Sequence, residues 1–418
     1  MAPAVGACSS AAAQGGHRDH HRAAPARAYP FSPFDGLRLD PAYARLRATE
    51  PVSRVRLPYG GEEAWLATRH EDVRLVLSDP RFSRAAAGGH DEPRMMPHPP
   101  NAGTLNLDPP EHTRLRRFVA KAFTARGIES LRPRTAEIAD ELVDDLCRQG
   151  APADLVEHFG VPMPVRVICE MLGVPFADHD RFRIWSEAVV SSTSLSGEQI
   201  EEYLGALMEY MADLVAKRRA APADDLISAM VRARDEHDRL SEYELVDLAA
   251  GLLAAGHETT VTQIPNFVYV LLTEADAYRR LCDDPTLVPA AVEELMRFVP
   301  LVAGTVFARY ATEDVTLGGV LVRAGEAVVV SLSSANRDER VFPEPDRLDF
   351  HRRSNPQLGF GHGIHHCFGA QLARMELQVA LETLVRRLPG LRLAAPEAEL
   401  RWKTGMLVRG VAALPVAW

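Results

Sequence analysis

The apolar positions change period along the chain. In "PVSRVRLPYGGEEAWLATRH" (51–70) they alternate with polar ones on both sides of a Gly-Gly pair, which predicts a two-stranded hairpin. Farther on, helical spacing takes over, in "AEIADELVDDLCRQ" (136–149), "EQIEEYLGALMEYMADLVAKRRA" (198–220) and "SEYELVDLAAGLLAAGHETTVTQIPNFVYVLLTE" (241–274). Ser241 and Glu244 form a capping-box signature at the start of the last of these. At 1.5 Å per residue this segment predicts a helix of about 45 Å, enough to cross the molecule. Short strand-like runs follow at 314–331 and near the C-terminus. Residues 82–110 are rich in Gly and Pro without any period, which predicts a long loop, and long loops inside compact domains tend to be functional. The pattern is mainly α with a minor β part.

Two places break the pattern. In the long helical segment, Glu258, Thr259 and Thr260 interrupt an apolar stripe beside Ala255-Gly256, and Pro265 removes a backbone donor one turn later. A threonine there can bond back to an upstream carbonyl and bend the helix. The segment reads either as a kinked helix with a solvated Glu or as a helix opened to receive something. The second place is "LGFGHGIHHCFGAQLARMELQ" (358–378), where glycines and aromatics crowd Cys367 just before a new helical pattern. Cys367 is either an inert small residue or a thiolate presented to a metal. A zinc site from His362, His365, His366 and Cys367 is disfavoured, because the four are bunched in six residues instead of two separated pairs.

Composition narrows the classes. The chain has 418 residues, 46% of them apolar and 25% charged, and the length prior suggests two or three domains unless a large central cofactor lets one unit form. A net charge of −10 argues against general nucleic-acid binding. Five scattered cysteines suit a reducing compartment. No apolar run approaches the roughly 18 residues of a membrane span, and residues 1–28 lack the apolar core of a signal peptide. Those 28 residues read as a disordered segment preceding a single domain over 29–418, in a soluble cytoplasmic protein.

Five segments together resemble the cytochromes P-450. "FGHGIHHCFG" (360–369) is similar to the haem-binding loop of that family, with Phe360, Gly361, Gly363, Cys367 and Gly369 at its spacing. "AGHETT" (255–260) resembles its oxygen-activating helix, and "EELMR" (293–297) its Glu-x-x-Arg pair, Glu294 and Arg297. "FPEPDRLDF" (342–350) resembles the segment whose arginine, here Arg347, joins that pair. "HTRLR" (112–116) resembles the start of a helix that contacts haem propionates. The resemblance covers roughly residues 29–418.

It implies a mainly α cytochrome P-450 fold with a small β region, closed around haem b (iron protoporphyrin IX). Cys367 would be the axial iron ligand, its thiolate tuned by backbone N–H groups and by the N-terminus of the next helix. The loop glycines, with Phe360, Gly361, Gly369 and Ala255 among the haem contacts, would let backbone approach a flat macrocycle. His112, Arg116, Arg309 and His365 would meet the propionates. Glu258 and Thr259 would form an acid–alcohol pair that delivers protons to bound oxygen, while His257 points away. Glu294, Arg297 and Arg347 would lock the scaffold as a buried ion cluster.

The implied activity is a bacterial monooxygenase that hydroxylates or epoxidises a bulky apolar secondary metabolite, above all a macrolide-type polyketide. It would use O2 and electrons from NAD(P)H through a reductase and a ferredoxin docked near Arg114, Arg117, Lys121 and Arg374. Substrate contacts would come from 82–105, 176–200, Leu252–Ala255, Leu301–Phe307 and Thr404–Val408. The protein would be a monomer, with no nucleic-acid or membrane partner. A peroxide-driven enzyme, or a terpenoid, steroid or peptide substrate, is the alternative, although a peroxide-driven enzyme would not need the Glu258–Thr259 pair.

Overall fold

The computed structural model describes residues 25–99, 103–120, 123–237, 240–302, 304 and 307–418. Residues 1–24 of the expected tail, Lys121, and positions 303, 305 and 306 of an expected substrate segment lie outside it. Its last stretch is not a tail: Arg27–Ala28 (β1) pair in parallel with Val55 and Arg56, so the ordered fold begins before residue 29.

The expected hairpin is formed by β2 (Val52–Arg56) and β3 (Ala64–Ala67), antiparallel with Val52 opposite Ala67. It belongs to a six-stranded sheet in the order β1-β2-β3-β6-β5-β4, where β4 is Phe82–Ser83, β5 Arg309–Ala311 and β6 Ala327–Val330. β6 joins β3 in parallel, with Ala64 opposite Ala327, and so ties the N-terminal hairpin to a segment 263 residues away. The "loop" at 82–110 holds β4 and two short 3-10 turns, Ala85–Gly89 and Gly103–Asn106. Arg84 fastens it, pairing with Glu92 at 2.5 Å in the interior and donating to the Ala308 carbonyl and Asn106.

The helical body comprises α1 (Glu111–Ala120), α2 (Arg132–Gln149), α3 (Pro162–Leu172), α4 (His179–Val190), α5 (Gly197–Ala220), α6 (Glu242–Thr273), α7 (Val288–Phe298) and α8 (Ala370–Arg387), among other helices. α6 runs 32 residues and starts where the sequence predicts: Ser241 Oγ accepts from Glu244 N at 3.1 Å, and Glu244 returns the bond at 2.8 Å. Its residues are buried along most of its length, since α3, α4, α5 and α8 all pack on it. Pro265 sits inside the helix without ending it, and the space its ring needs is provided by Gly160, where a Cβ would lie 2.6 Å from the proline Cγ. A large apolar core fills this body, and two smaller clusters lie on the two faces of the six-stranded sheet.

Candidate functional site

The Cys367 loop is built by short-range bonds. Cys367 N donates to the Phe360 carbonyl at 2.9 Å, closing a ring that sets both residues across from each other. Gly361 and Gly363 adopt φ of +74° and +71°, a region side chains rarely enter. Gly363 has a second reason: a Cβ there would lie 2.2 Å from the Leu77 carbonyl at the end of helix His70–Ser78. Its small size therefore serves packing against protein. Gly369 has an ordinary φ of −81° as the N-cap of α8, and its N–H bonds the Cys367 sulfur. The Cys367 side chain is exposed to the cleft but ringed by protein, so burial pushes the thiol pKa up. The Gly369 N–H, Arg116 and Arg374 act the other way and favour thiolate. Arg116 stacks on Phe368 at 4.4 Å and Arg374 on Phe360 at 4.4 Å, so both cations are fixed beside the loop.

Four cationic or donor groups converge next to this loop, as expected from the motif positions. The rings of His112 and His365 stand 4.4 Å apart, and both ring nitrogens of His365 and Nδ1 of His112 are buried with no partner. Burial lowers the pKa of His112 and Arg116, takes Arg309 to about 10 and His365 to about 3. Among the described residues, the Arg309 side chain makes one bond, of 3.5 Å to the Phe82 carbonyl. No carboxylate pairs with any of the four among the described residues; the nearest, Asp108, is engaged by Ser83 Oγ and by the backbone of Arg84. Burying two arginines and two imidazoles without an anion is costly, and a dianionic ligand would remove that cost. A thiolate-capable sulfur beside donors for two carboxylates fits a haem.

The α6 residues divide their partners. Thr259 Oγ donates to the Ala255 carbonyl at 2.9 Å, the back-bond that helix-borne threonines favour, and the helix continues unbroken past it. Glu258 is not a solvated acid: it is buried and ion-paired to Lys403 at 2.7 Å, and Lys403 also donates to Thr262 at 2.9 Å. The structure therefore does not aim the Glu258 carboxylate and the Thr259 hydroxyl at each other. His257 is buried with neither ring nitrogen bonded, and burial lowers its pKa to about 4, so it is neutral.

Sequence reasoning missed Lys403 and Glu376. Glu376 on α8 is fully enclosed, bonded to Thr260 through one oxygen and unpartnered at Oε2, with its pKa raised to about 8 by burial. Its signal was available: at helical spacing it shares a face with the buried Leu372 and Ala380. Lys403 is one of several charges in its stretch, beside Glu397, Glu399 and Arg401, and so a weaker signal.

The scaffold cluster requires a correction. Glu294 and Arg297 pair at 2.7 Å and are almost wholly buried, but the third cation is Arg352, 3.1 Å from Glu294, not Arg347. Arg347 offers its backbone carbonyl to Arg297 and turns its side chain outward to Glu344. Of the expected docking cations, Arg114 pairs with Glu244 and Arg374 with Glu293, while Arg117 is exposed. Three of the expected substrate segments do meet: Val190 accepts from Leu407 N at 2.7 Å, Gly405 accepts from Ser192, Thr193 and Ser194, and Val302 bridges Val408.

Comparison with known proteins agrees with this geometry. The family described as Cytochrome P450 matches residues 46–284 and 282–389. The chain belongs to the cytochrome P450 family and is a cytochrome P450 monooxygenase, with that family's fold. It is 59% identical over 392 residues (94% of this chain, 98% of the relative) to mycinamicin IV hydroxylase/epoxidase of Micromonospora griseorubida. It is 55% identical over 394 residues (94% and 98%) to nocardicin C N-oxygenase of Nocardia uniformis subsp. tsuyamanensis. The crystal structure of HinD with NMFT and NO superposes with a TM-score of 0.92 at 53% identity, covering 94% of this chain and all of that one. No helix among the described residues is long and apolar enough to cross a membrane.

Proposed function

We propose that the protein uses haem b and O2 to hydroxylate or epoxidise a bulky apolar secondary metabolite, a macrolide-type polyketide first among them. The observation that carries this reading is 59% identity, across nearly both full lengths, to a hydroxylase/epoxidase named for mycinamicin IV. The junction of Val190, Val302 and Gly405–Val408 supports it, since the side chains brought together there are neutral.

When bound, haem supplies a thiolate-ligated iron that activates dioxygen. The chain's own residues do the rest. Cys367 furnishes the sulfur, with the Gly369 N–H and Arg116 holding its negative charge. His112, His365, Arg116 and Arg309 take the propionates, and Phe360, Gly361, Gly369 and Ala255 border the macrocycle. Thr259 holds the hydroxyl nearest the reaction, and Glu258 passes protons inward once it gives up Lys403. Electrons arrive from NAD(P)H through a reductase and a ferredoxin, with the exposed Arg117 in the docking face, and the enzyme works as a cytoplasmic monomer. A second reading, oxygenation at a substrate nitrogen, is favoured by the 55% identity to an N-oxygenase.

The test is spectroscopic and then chemical. Reduced protein under carbon monoxide should give the red-shifted absorption of thiolate-bound haem, and titration with macrolide lactones should displace water from ferric iron. An imidazole-type spectrum, or indifference to every lactone beside a response to amine-bearing peptides, overturns the first reading. Turnover with ferredoxin and NAD(P)H, compared with peroxide, decides the electron source. Thr259→Ala should keep haem but divert reducing equivalents to peroxide; unchanged coupling would remove Thr259 from the relay.

A further inference from the structure

The N-terminal segment around Phe31–Pro41 passes behind Val302 and encloses a cavity of about 280 Å³ against it, with Ser333 and Arg409 in the remaining wall. Phe31, Phe34 and Tyr43 give this cavity flat apolar faces. A dry cavity of about 150 Å³ already accepts benzene, so this one has room for a substituted ring.

Arg409 is the unusual member. It is only 7% exposed, yet no carboxylate pairs with it among the described residues. Its Nε donates to the Gly36 carbonyl at 2.9 Å and Nη2 to the Arg38 carbonyl at 2.8 Å, while Phe34 stacks on the guanidinium at 5.0 Å. Nη1 has no acceptor among the described residues. The two acids in the wall are committed elsewhere. Asp40 accepts from Ala42 N at 2.7 Å and from Ser32 Oγ at 2.5 Å. Asp35 lies in solvent, 3.7 Å from Arg38. Burial lowers the Arg409 pKa, while Tyr43, Asp35 and Tyr29 act the other way without making an ion pair to it.

We propose that this cavity is a second binding site, distinct from the haem chamber, for a small carboxylate with a flat apolar body, whose carboxylate meets Arg409 Nη1 while its ring lies among Phe31, Phe34 and Tyr43. The site adjoins the catalytic side of the molecule through one strand pair. Arg409 N donates to the Leu301 carbonyl at 2.7 Å, and Val302 bridges Val408. An occupant would rest on the reverse of segments that we assign to substrate contact.

Benzoate is the probe, followed by calorimetry and saturation-transfer NMR on the haem-loaded enzyme while the haem absorption is recorded. Benzoate should bind without moving that absorption. Ser333→Phe, which fills the cavity and leaves Arg409 and its bonds in place, should abolish binding. Arg409→Gln, and benzyl alcohol in place of benzoate, should each weaken binding about tenfold or more, the worth of a charge-assisted hydrogen bond. If Arg409→Gln does not fold, Ser333→Phe and the alcohol decide. The proposal fails if benzoate does not bind at concentrations on the order of tens of millimolar. It also fails if Ser333→Phe binds as wild type, if the alcohol binds equally well, or if binding shifts the haem absorption.

Discussion

Two charged clusters, one around Glu294 and one around His365, are built on opposite rules. Around Glu294, both carboxylate oxygens receive bonds from Arg297, Arg352, Asn355 and the Asp349 backbone, and Arg297 spends its remaining donors on the carbonyls of Asn336, Pro345 and Arg347. Around His365, two imidazoles and two guanidiniums are gathered with no ion-paired carboxylate among the described residues and several unbonded nitrogens. Both clusters are buried, so both have incurred desolvation. Only the first recovers it within the chain. The difference separates a scaffold from a ligand site: a group that serves folding finds its partner in the sequence, and one that serves a ligand is left without.

This contrast can be broken by substitution, and the largest effect belongs to the satisfied cluster. Arg297→Ala strands Glu294 in the interior and should cost about 3–5 kcal/mol, read as a lowered thermal midpoint and loss of soluble haem protein. Arg309→Leu should do the reverse to the fold: the haem-free protein should keep or raise its urea midpoint, because an uncompensated buried charge is gone. Haem retention should weaken about tenfold or more in the same variant, measured by transfer to an acceptor protein. A destabilised haem-free Arg309→Leu protein with unchanged haem retention would erase the distinction.

The same contrast recurs between two buried acids on facing helices, at smaller scale. Glu258 meets its charge with Lys403, so Lys403→Met should cost about 2 kcal/mol, less than a fully buried pair because Lys403 is partly exposed. Glu376 meets burial by keeping its proton. Its pKa is raised from 4.5 to about 8, so between these values the folded protein holds a proton that the unfolded chain has released. Stability from this group is complete below about pH 4.5 and falls as pH rises toward 8, by up to about 1.4 kcal/mol per unit. Glu376→Gln should therefore have its smallest effect near pH 5 and flatten the pH dependence of the thermal midpoint between pH 5 and 8. Parallel curves for the two proteins would mean that Glu376 is ionised at neutral pH.

What could be read in the sequence follows from how local each cause is. The Cys367 loop was legible because its determinants fall within ten residues: two glycines forced by positive φ, a closing bond from Cys367 to Phe360, and a helix N-terminus. The start of α6 was legible for the same reason, since the capping bonds between Ser241 and Glu244 span three residues. Arg352 was not. It and Arg347 lie in one charged segment, and Glu344, three residues before Arg347, draws that side chain outward. Nothing in the local pattern says which of the two turns in. Arg84 was hidden as well, because its partners, Glu92, Asn106 and Ala308, come together only when the loop closes on the sheet.

The chain's order of residues determined the helical and strand periods, the caps, the backbone demands of its glycines and the placing of a cysteine in a glycine-lined loop before a helix. Each depends on neighbours within a turn or two. Tertiary structure alone decided which charges are met and which are left open. Glu258 finds Lys403 across 145 residues, Arg132 and Gln378 meet across 246, and His112, Arg116, Arg309 and His365 arrive from three separate segments. Electrostatic partnership depends on distance and burial in space, and neither quantity exists until the chain has folded.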